Sequence, residues 1–95
     1  MNVRYSRRAA RDLVVILSYV AERSTGGAVR FDASIQRDIE FISRNPLAGK
    51  KTAQASLLVS VVRGYPCKIF YRTRADLIEI VHIRHASRRP WRELL

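Results

Sequence analysis

Apolar residues recur every three or four positions through two stretches in the first half of the chain. They are Ala9, Leu13, Ile16, Leu17 and Val20 in the first stretch and Phe31, Ile35, Ile39 and Ile42 in the second. This spacing predicts two amphipathic helices. Ser6 is a suitable N-cap for the first helix, and Gly26-Gly27 is expected to stop it after Arg23. Asn45-Pro46 ends the second, because proline disfavours helical dihedrals in the residue before it.

The second half of the chain is rich in β-branched and aromatic residues. Strands are predicted over 57–63, 68–73 and 77–84, separated by Gly64-Tyr65-Pro66 and Ala75-Asp76. A short first strand is expected over 2–6, and the polar segment 50–56 is predicted to be a loop. The result is an α+β fold of order β-α-α-β-β-β, in which a helical hairpin packs on a small, mainly antiparallel sheet.

Length and composition predict one domain over residues 1–95, with 47% hydrophobic residues to form its core. Cys67 is the single cysteine, so no internal disulfide or cysteine-rich zinc site is expected, and this residue is predicted to pack in the core. The sequence contains no P-loop, dinucleotide fingerprint or HExxH motif, so no cofactor or metal is predicted. The N-terminus lacks an apolar signal region, which favours a cytoplasmic protein without a membrane segment.

The charge balance predicts an anionic partner. Eighteen Lys and Arg residues against eight Asp and Glu give a formal net charge of +10, which suits either nucleic acid or an acidic protein. The densest basic segment is C-terminal, and its candidate target-binding residues are Arg84, Arg88, Arg89, Trp91 and Arg92. These combine phosphate-pairing guanidinium groups with a stacking surface. The alternative interpretation is a solvated tail whose Trp91 folds back onto the core.

The two histidines are the candidates for acid–base chemistry. His82 and His85 are three positions apart, so an extended strand directs them to opposite faces and they are not expected to share a site. His85 is the candidate catalytic residue because it lies at the strand end beside Arg84 and Arg88. A structural role remains the alternative for each. The helical carboxylates Asp12, Asp32, Asp38 and Glu40 are expected to pair with arginines within their own helices.

A family resemblance runs through nearly the whole chain. Its motifs are Val3-Arg4-Tyr5-Ser6 with Ala9, Asp12-Leu13 and Ile16; Ala28-x-Arg30-Phe31; Asn45-Pro46-Leu47-Ala48-Gly49; Val62-Arg63-Gly64-Tyr65-Pro66; Ile69-Phe70-Tyr71-Arg72; Ile78-x-Ile80-x-His82-x-Arg84-His85; and Arg88-Arg89-Pro90-Trp91. In this order and spacing they resemble the ParE/RelE toxin superfamily, closer to ParE. The resemblance implies a compact growth-arresting toxin that an acidic, partly disordered antitoxin neutralises.

The resemblance implies one of two activities. ParE-like members poison DNA gyrase without being enzymes, and here the basic tail would contact the gyrase–DNA complex. RelE-like members cleave messenger RNA on the ribosome, for which the candidates are Arg63, Arg72, His85 and Arg88. The charge alone leaves a third alternative, a non-toxic nucleic-acid-binding module. The antitoxin is expected to cover the face of the helical hairpin and the sheet edge, giving a hetero-oligomer.

Overall fold

Two helices and five strands follow one another along residues 1–85, the part of the chain that the computed structural model describes. They are β1 Asn2–Tyr5, α1 Arg7–Arg23, α2 Thr25–Arg44, β2 Lys50–Lys51, β3 Leu58–Val61, β4 Cys67–Arg74 and β5 Leu77–His85. The predicted α+β fold is confirmed, with the two-residue strand β2 added to the predicted order. Neither helix in the described residues is long and apolar enough to cross a membrane.

The five strands form one sheet in the order β1-β5-β4-β3-β2. Strands β3, β4 and β5 are the predicted antiparallel meander, and β1 joins the edge of β5 in parallel. The loop predicted over 50–56 is wrong at its start, because Lys50 pairs with Val59 and Lys51 with Leu58. Two residues are too few to show an alternating pattern, so only the partner strand reveals this one.

The junction between the helices also differs from the prediction. Gly26 and Gly27 do not stop α1 but lie in the first turn of α2. Ser24 serves both helices: its backbone N–H donates to the Val20 carbonyl, and its Oγ accepts from the Gly27 N–H at 2.9 Å. A Cβ at position 27 would lie 3.0 Å from Ser24 Oγ, so glycine permits the close approach of this shared cap.

The core lies between the helical hairpin and one face of the sheet. Its buried side chains come from both helices and from the inward positions of the strands: Ala9, Ile16, Phe31, Ile35, Ile39, Ile42, Val62, Cys67, Ile69, Tyr71, Ile78, Ile80 and Ile83. The alternation on β5 changes phase at Val81, because Tyr71 pairs with Ile80 while Phe70 pairs with His82. This irregularity keeps both Ile80 and Ile83 inward. The predicted packed role of Cys67 is confirmed.

Residues of α1 take over the edge of β5 beyond the end of β1. The Ser6 N–H donates to the Ile80 carbonyl at 2.9 Å and its Oγ donates to the Val81 carbonyl at 2.8 Å. Asp12 Oδ2 accepts the Ile83 N–H at 3.0 Å. The backbone groups of the exposed strand edge therefore have partners without another strand.

The Tyr71 hydroxyl connects β4 to the loop that follows α2. It donates to the Pro46 carbonyl at 2.9 Å and accepts the Gly49 N–H at 2.9 Å. A Cβ at Gly49 would lie 2.6 Å from this oxygen, so a side chain there would separate loop and strand. Burial raises the pKa of Tyr71, which keeps the hydroxyl protonated and able to donate.

We expect Tyr71→Phe to lower the free energy of unfolding by about 1–3 kcal/mol, because two buried backbone groups lose their partner. Tyr5→Phe is the control, since its hydroxyl makes only an exposed contact of 3.5 Å with Gln36, and its effect should be within about 0.5 kcal/mol. Urea denaturation measures both. Equal stability of the two variants would show that the loop is held by other contacts.

Candidate functional site

The face of the sheet opposite the helices is strongly basic. On β4 the outward positions alternate with the core positions and carry Lys68, Phe70, Arg72 and Arg74. The paired strands place further cations on the same face. We call this surface the basic sheet face, and its cations are Arg4, Lys50, Lys68, Arg72, Arg74 and Arg84. The strands of residues 1–85 carry one carboxylate, Glu79.

Glu79 organises one end of the basic sheet face. Its Oε1 lies 2.9 Å from Arg72 Nε and 3.9 Å from Arg74 Nη1, and Arg4 is its partner in register on β1. The hydrogen bond from Arg72 and the nearby arginine charges hold the pKa of Glu79 below its usual range. One carboxylate faces three guanidinium groups, so this end keeps an excess of positive charge.

The middle of the basic sheet face is aromatic. The His82 ring stacks on Phe70 at a centroid distance of 5.6 Å, and the Arg84 guanidinium carbon lies 5.2 Å from the Phe70 centroid. His82 Nδ1 is 2.6 Å from Asp12 Oδ2. Burial lowers the pKa of His82, and the charges of Arg8 and Arg84 add to this against the opposing effect of Asp12. A neutral imidazole that donates from Nδ1 to Asp12 fits both the short contact with Asp12 and the lowered pKa of His82.

His85 lies on the other side of β5, as predicted from its spacing to His82. Its side chain is 7% exposed, with its ring 5.5 Å from that of Phe31 and 6.2 Å from that of Tyr19. The Tyr65 ring stacks on the Phe31 ring, with 4.4 Å between their centroids. The predicted catalytic histidine is therefore part of an aromatic cluster between the helices and β5.

Of the predicted ribonuclease residues within 1–85, Arg72 and His85 lie on opposite faces of the sheet. Arg72 points outward and binds Glu79, whereas His85 points inward. Arg63 follows β3 and lies beside α2. Arg88 is outside the described residues. Of the predicted target-binding residues, Arg84 lies on the basic sheet face, and the others lie outside the described residues: Arg88, Arg89, Trp91 and Arg92.

A groove runs between α2 and β3. Its lining residues are Ser34, Arg37, Asp38, Phe41, Ser60, Val61 and Arg63. Phe41 and Val61 leave 51% and 61% of their surface exposed. On the floor, the Ser60 hydroxyl donates to Asp38 Oδ2 at 2.9 Å, and burial raises the pKa of Asp38. The groove thus combines apolar side chains with the cationic ends of Arg37 and Arg63.

The predicted pairing of the four helical carboxylates with arginines of their own helices is correct for Glu40 and wrong for the other three. Glu40 pairs with Arg44 at 2.8 Å within α2. Asp32 accepts from Gln36 rather than from an arginine. Asp12 and Asp38 instead bind residues of β5 and β3. The helix spacing cannot reveal these two, because their partners are 70 and 22 positions away.

Sequence reasoning missed most of the basic sheet face. Arg4, Lys50, Lys68 and Arg74 were not among the predicted binding residues. A signal was available on the predicted strand: Lys68, Phe70, Arg72 and Arg74 occur at every second position. Among residues 1–85, no three His, Cys, Asp or Glu side chains are grouped so that they could hold a metal ion.

The environment of His82 predicts a pH-dependent contribution to stability. Its folded pKa lies below the ordinary value of 6.5, so the unfolded chain takes up the proton more readily. The contribution of His82 to the free energy of unfolding is therefore complete above the pKa that this histidine has in the unfolded chain. It is lost as the pH falls through the pKa that His82 has in the folded protein. We expect the stability difference between wild type and His82→Gln to shrink from about pH 7 to about pH 5 in urea denaturation. A difference that grows at low pH would contradict this assignment.

Comparison with known proteins identifies the family. The model for the ParE toxin of the type II toxin–antitoxin system parDE matches residues 3–90. Among solved structures, the chromosomal ParDE system from P. aeruginosa is similar with a TM-score of 0.77 and 22% identity, covering 90% of this chain and 95% of that one.

A second similar structure is the intact E. coli RelBE toxin–antitoxin complex, with a TM-score of 0.64 and 14% identity over 92% of this chain and 98% of that one. At these identities both structures show a shared fold. No curated protein sequence gives a significant match. Because the family match covers most of the sequence, the chain belongs to the ParE toxin family of type II toxin–antitoxin systems.

Proposed function

We propose that this protein arrests growth by inhibiting DNA gyrase and that an acidic antitoxin neutralises it. The observation that carries the proposal is the ParE family match over residues 3–90. The fold shared with the ParDE system from P. aeruginosa supports a toxin–antitoxin pairing. The net charge of +10 fits an acidic partner.

The geometry of the ribonuclease candidates favours an inhibitor over an enzyme. Cleavage at a 2′-hydroxyl needs a general base and cationic groups within hydrogen-bond reach of one phosphodiester. Arg72 and His85 lie on opposite faces of the sheet, and His85 is buried beside Phe31. Messenger RNA cleavage, as in the RelE-like alternative, would therefore not use Arg72 and His85 at the same phosphodiester.

The basic tail is the proposed gyrase contact. Its residues Arg88, Arg89, Trp91 and Arg92 follow β5 directly in the chain. The end of β5 lies beside the start of β4, where Lys68 pairs with Arg84.

The groove between α2 and β3 is the proposed antitoxin site. An amphipathic segment can cover Phe41 and Val61 with apolar side chains and pair its carboxylates with Arg37 and Arg63. Strand β2 pairs only with Leu58 and Val59, so Val61 lies at the sheet edge. The groove thus joins the helical hairpin to a strand edge, the two features expected for antitoxin binding.

Purified toxin is expected to inhibit gyrase supercoiling and to accumulate cleaved DNA, and addition of the antitoxin should reverse both effects. Charge reversal in Arg88→Glu/Arg89→Glu should abolish inhibition. The matched control is Arg30→Glu/Arg44→Glu on the surface of α2, which should retain it. Normal gyrase activity with discrete messenger cuts on ribosomes would establish the RelE-like alternative. Absence of growth arrest on induced expression would leave a non-toxic binding module.

Charge introduced into the groove should prevent neutralisation without removing toxicity. We expect Phe41→Asp/Val61→Asp to bind the antitoxin at least about thirtyfold more weakly. Each new aspartate would lose its water at the centre of the interface when the antitoxin binds. Leu47→Asp is the control, since this loop residue is 84% exposed and lies outside the groove. Calorimetric titration measures the affinities. Unchanged affinity for the double variant would place the antitoxin elsewhere.

A further inference from the structure

The two layers of the molecule differ sharply in charge balance. The helical layer carries seven arginines and five carboxylates: Arg7, Arg8, Arg11, Arg23, Arg30, Arg37 and Arg44 with Asp12, Glu22, Asp32, Asp38 and Glu40. The strands of the basic sheet face carry six cations and Glu79, and Asp12 of α1 reaches the edge of this face at His82. The excess positive charge of the described residues is therefore concentrated on the side away from the helices.

The cations of the basic sheet face follow the length of β4. Lys68 and Arg74 are six positions apart, which spans roughly 20 Å at about 3.4 Å per residue. Arg72 lies between them on the same face, and Arg84 is the partner of Lys68 on β5. A row of charges repeated along this length fits an extended polyanion better than a single small anion.

Two of these arginines are positioned before any ligand binds. Glu79 Oε1 accepts a hydrogen bond from Arg72 Nε at 2.9 Å and lies 3.9 Å from Arg74 Nη1, so both guanidinium groups are drawn towards the same carboxylate. A guanidinium with restricted side-chain freedom loses less entropy when it pairs with a phosphate oxygen. Glu79 thus acts as a positioning residue for the cations around it.

The distribution of apolar surface separates this face from the proposed antitoxin site. The large apolar side chains exposed on the helices are Val14, Val15, Val29 and Phe41. On the basic sheet face, Phe70 and Val59 are only partly exposed between cations, and Val61, the partner of Lys68 on β3, is the one large apolar side chain there that is mostly exposed. A segment that folds on binding needs apolar burial to offset its ordering cost, and the helical side offers more of it. The sheet side offers positive charge spread along the length of β4.

We propose that the basic sheet face binds the phosphate backbone of nucleic acid without reading the bases. Lys68, Arg72 and Arg74 pair with phosphates along β4, and Arg84 and Arg4 extend the contact onto β5 and β1. This site does not depend on gyrase inhibition, because an oligonucleotide alone is a sufficient ligand. Binding through phosphates makes the affinity steeply dependent on salt and nearly independent of sequence.

The test is fluorescence anisotropy with one labelled sequence as duplex DNA, single-stranded DNA and single-stranded RNA, titrated from about 50 to about 200 mM KCl. For the tightest-binding form, Lys68→Gln/Arg74→Gln should reduce the slope of log affinity against log salt by about two, one for each lost phosphate contact. Arg30→Gln/Arg44→Gln removes the same net charge from the helical layer and should keep the wild-type slope.

The order of affinities among the three forms identifies which nucleic acid the surface prefers. A second pair, Lys50→Gln/Lys68→Gln, should also reduce the slope of log affinity against log salt, and it leaves the contacts of Glu79 intact. Urea denaturation checks that each variant is folded. Equal losses from the sheet and helix pairs would overturn the proposal, since only net charge would then matter. Absence of binding, or equal competition by polyglutamate, would overturn it as well.

Discussion

The burial of one face of the sheet beneath the helical hairpin is the constraint on which the rest of the structure depends. Successive residues of a strand point to opposite sides, so placing Cys67, Ile69 and Tyr71 in the core forces the residues between them outward. Two helices cover only one side of a five-stranded sheet. The cations of β4 therefore share a single open face as a direct consequence of the core.

The helices, the meander and the main core positions could be predicted from periodicity, since each is a local property of the sequence. The errors fall where the partner is distant. Asp12 closes the edge of β5, Asp38 binds Ser60, and β2 exists only through its pairing with β3. The prediction that Gly26-Gly27 ends α1 is wrong because Ser24, two residues before Gly26, caps both helices.

The candidate site was harder to predict than the fold. The dense C-terminal run predicts target-binding residues that lie mostly beyond position 85. The cations of the basic sheet face are spread over four strands, which meet only in the folded sheet. His82 and His85 show the same difficulty. Strand spacing separates their faces, but the contacts of His82 with Asp12 and of His85 with Phe31 arise from tertiary packing.

The groove beside α2 and the basic sheet face give the molecule two surfaces of different character. The groove beside α2 offers apolar surface flanked by arginines, which suits a neutralising segment. The sheet side offers spaced cations ordered by Glu79, which suits a polyanion. The two surfaces meet only where Val61 pairs with Lys68, so an antitoxin bound in the groove would leave Arg4, Arg72 and Arg74 on the other side.

The separation of the two sides is tested most directly by NMR chemical-shift mapping of the labelled toxin, titrated in turn with an oligonucleotide and with the antitoxin. We expect the oligonucleotide to shift resonances of Arg4, Arg72 and Arg74 and the antitoxin to shift those of Arg37 and Phe41, because Lys68 and Val61 pair with each other where the two surfaces meet. Oligonucleotide-induced shifts centred on α2, or a common set of shifts for both ligands, would contradict it.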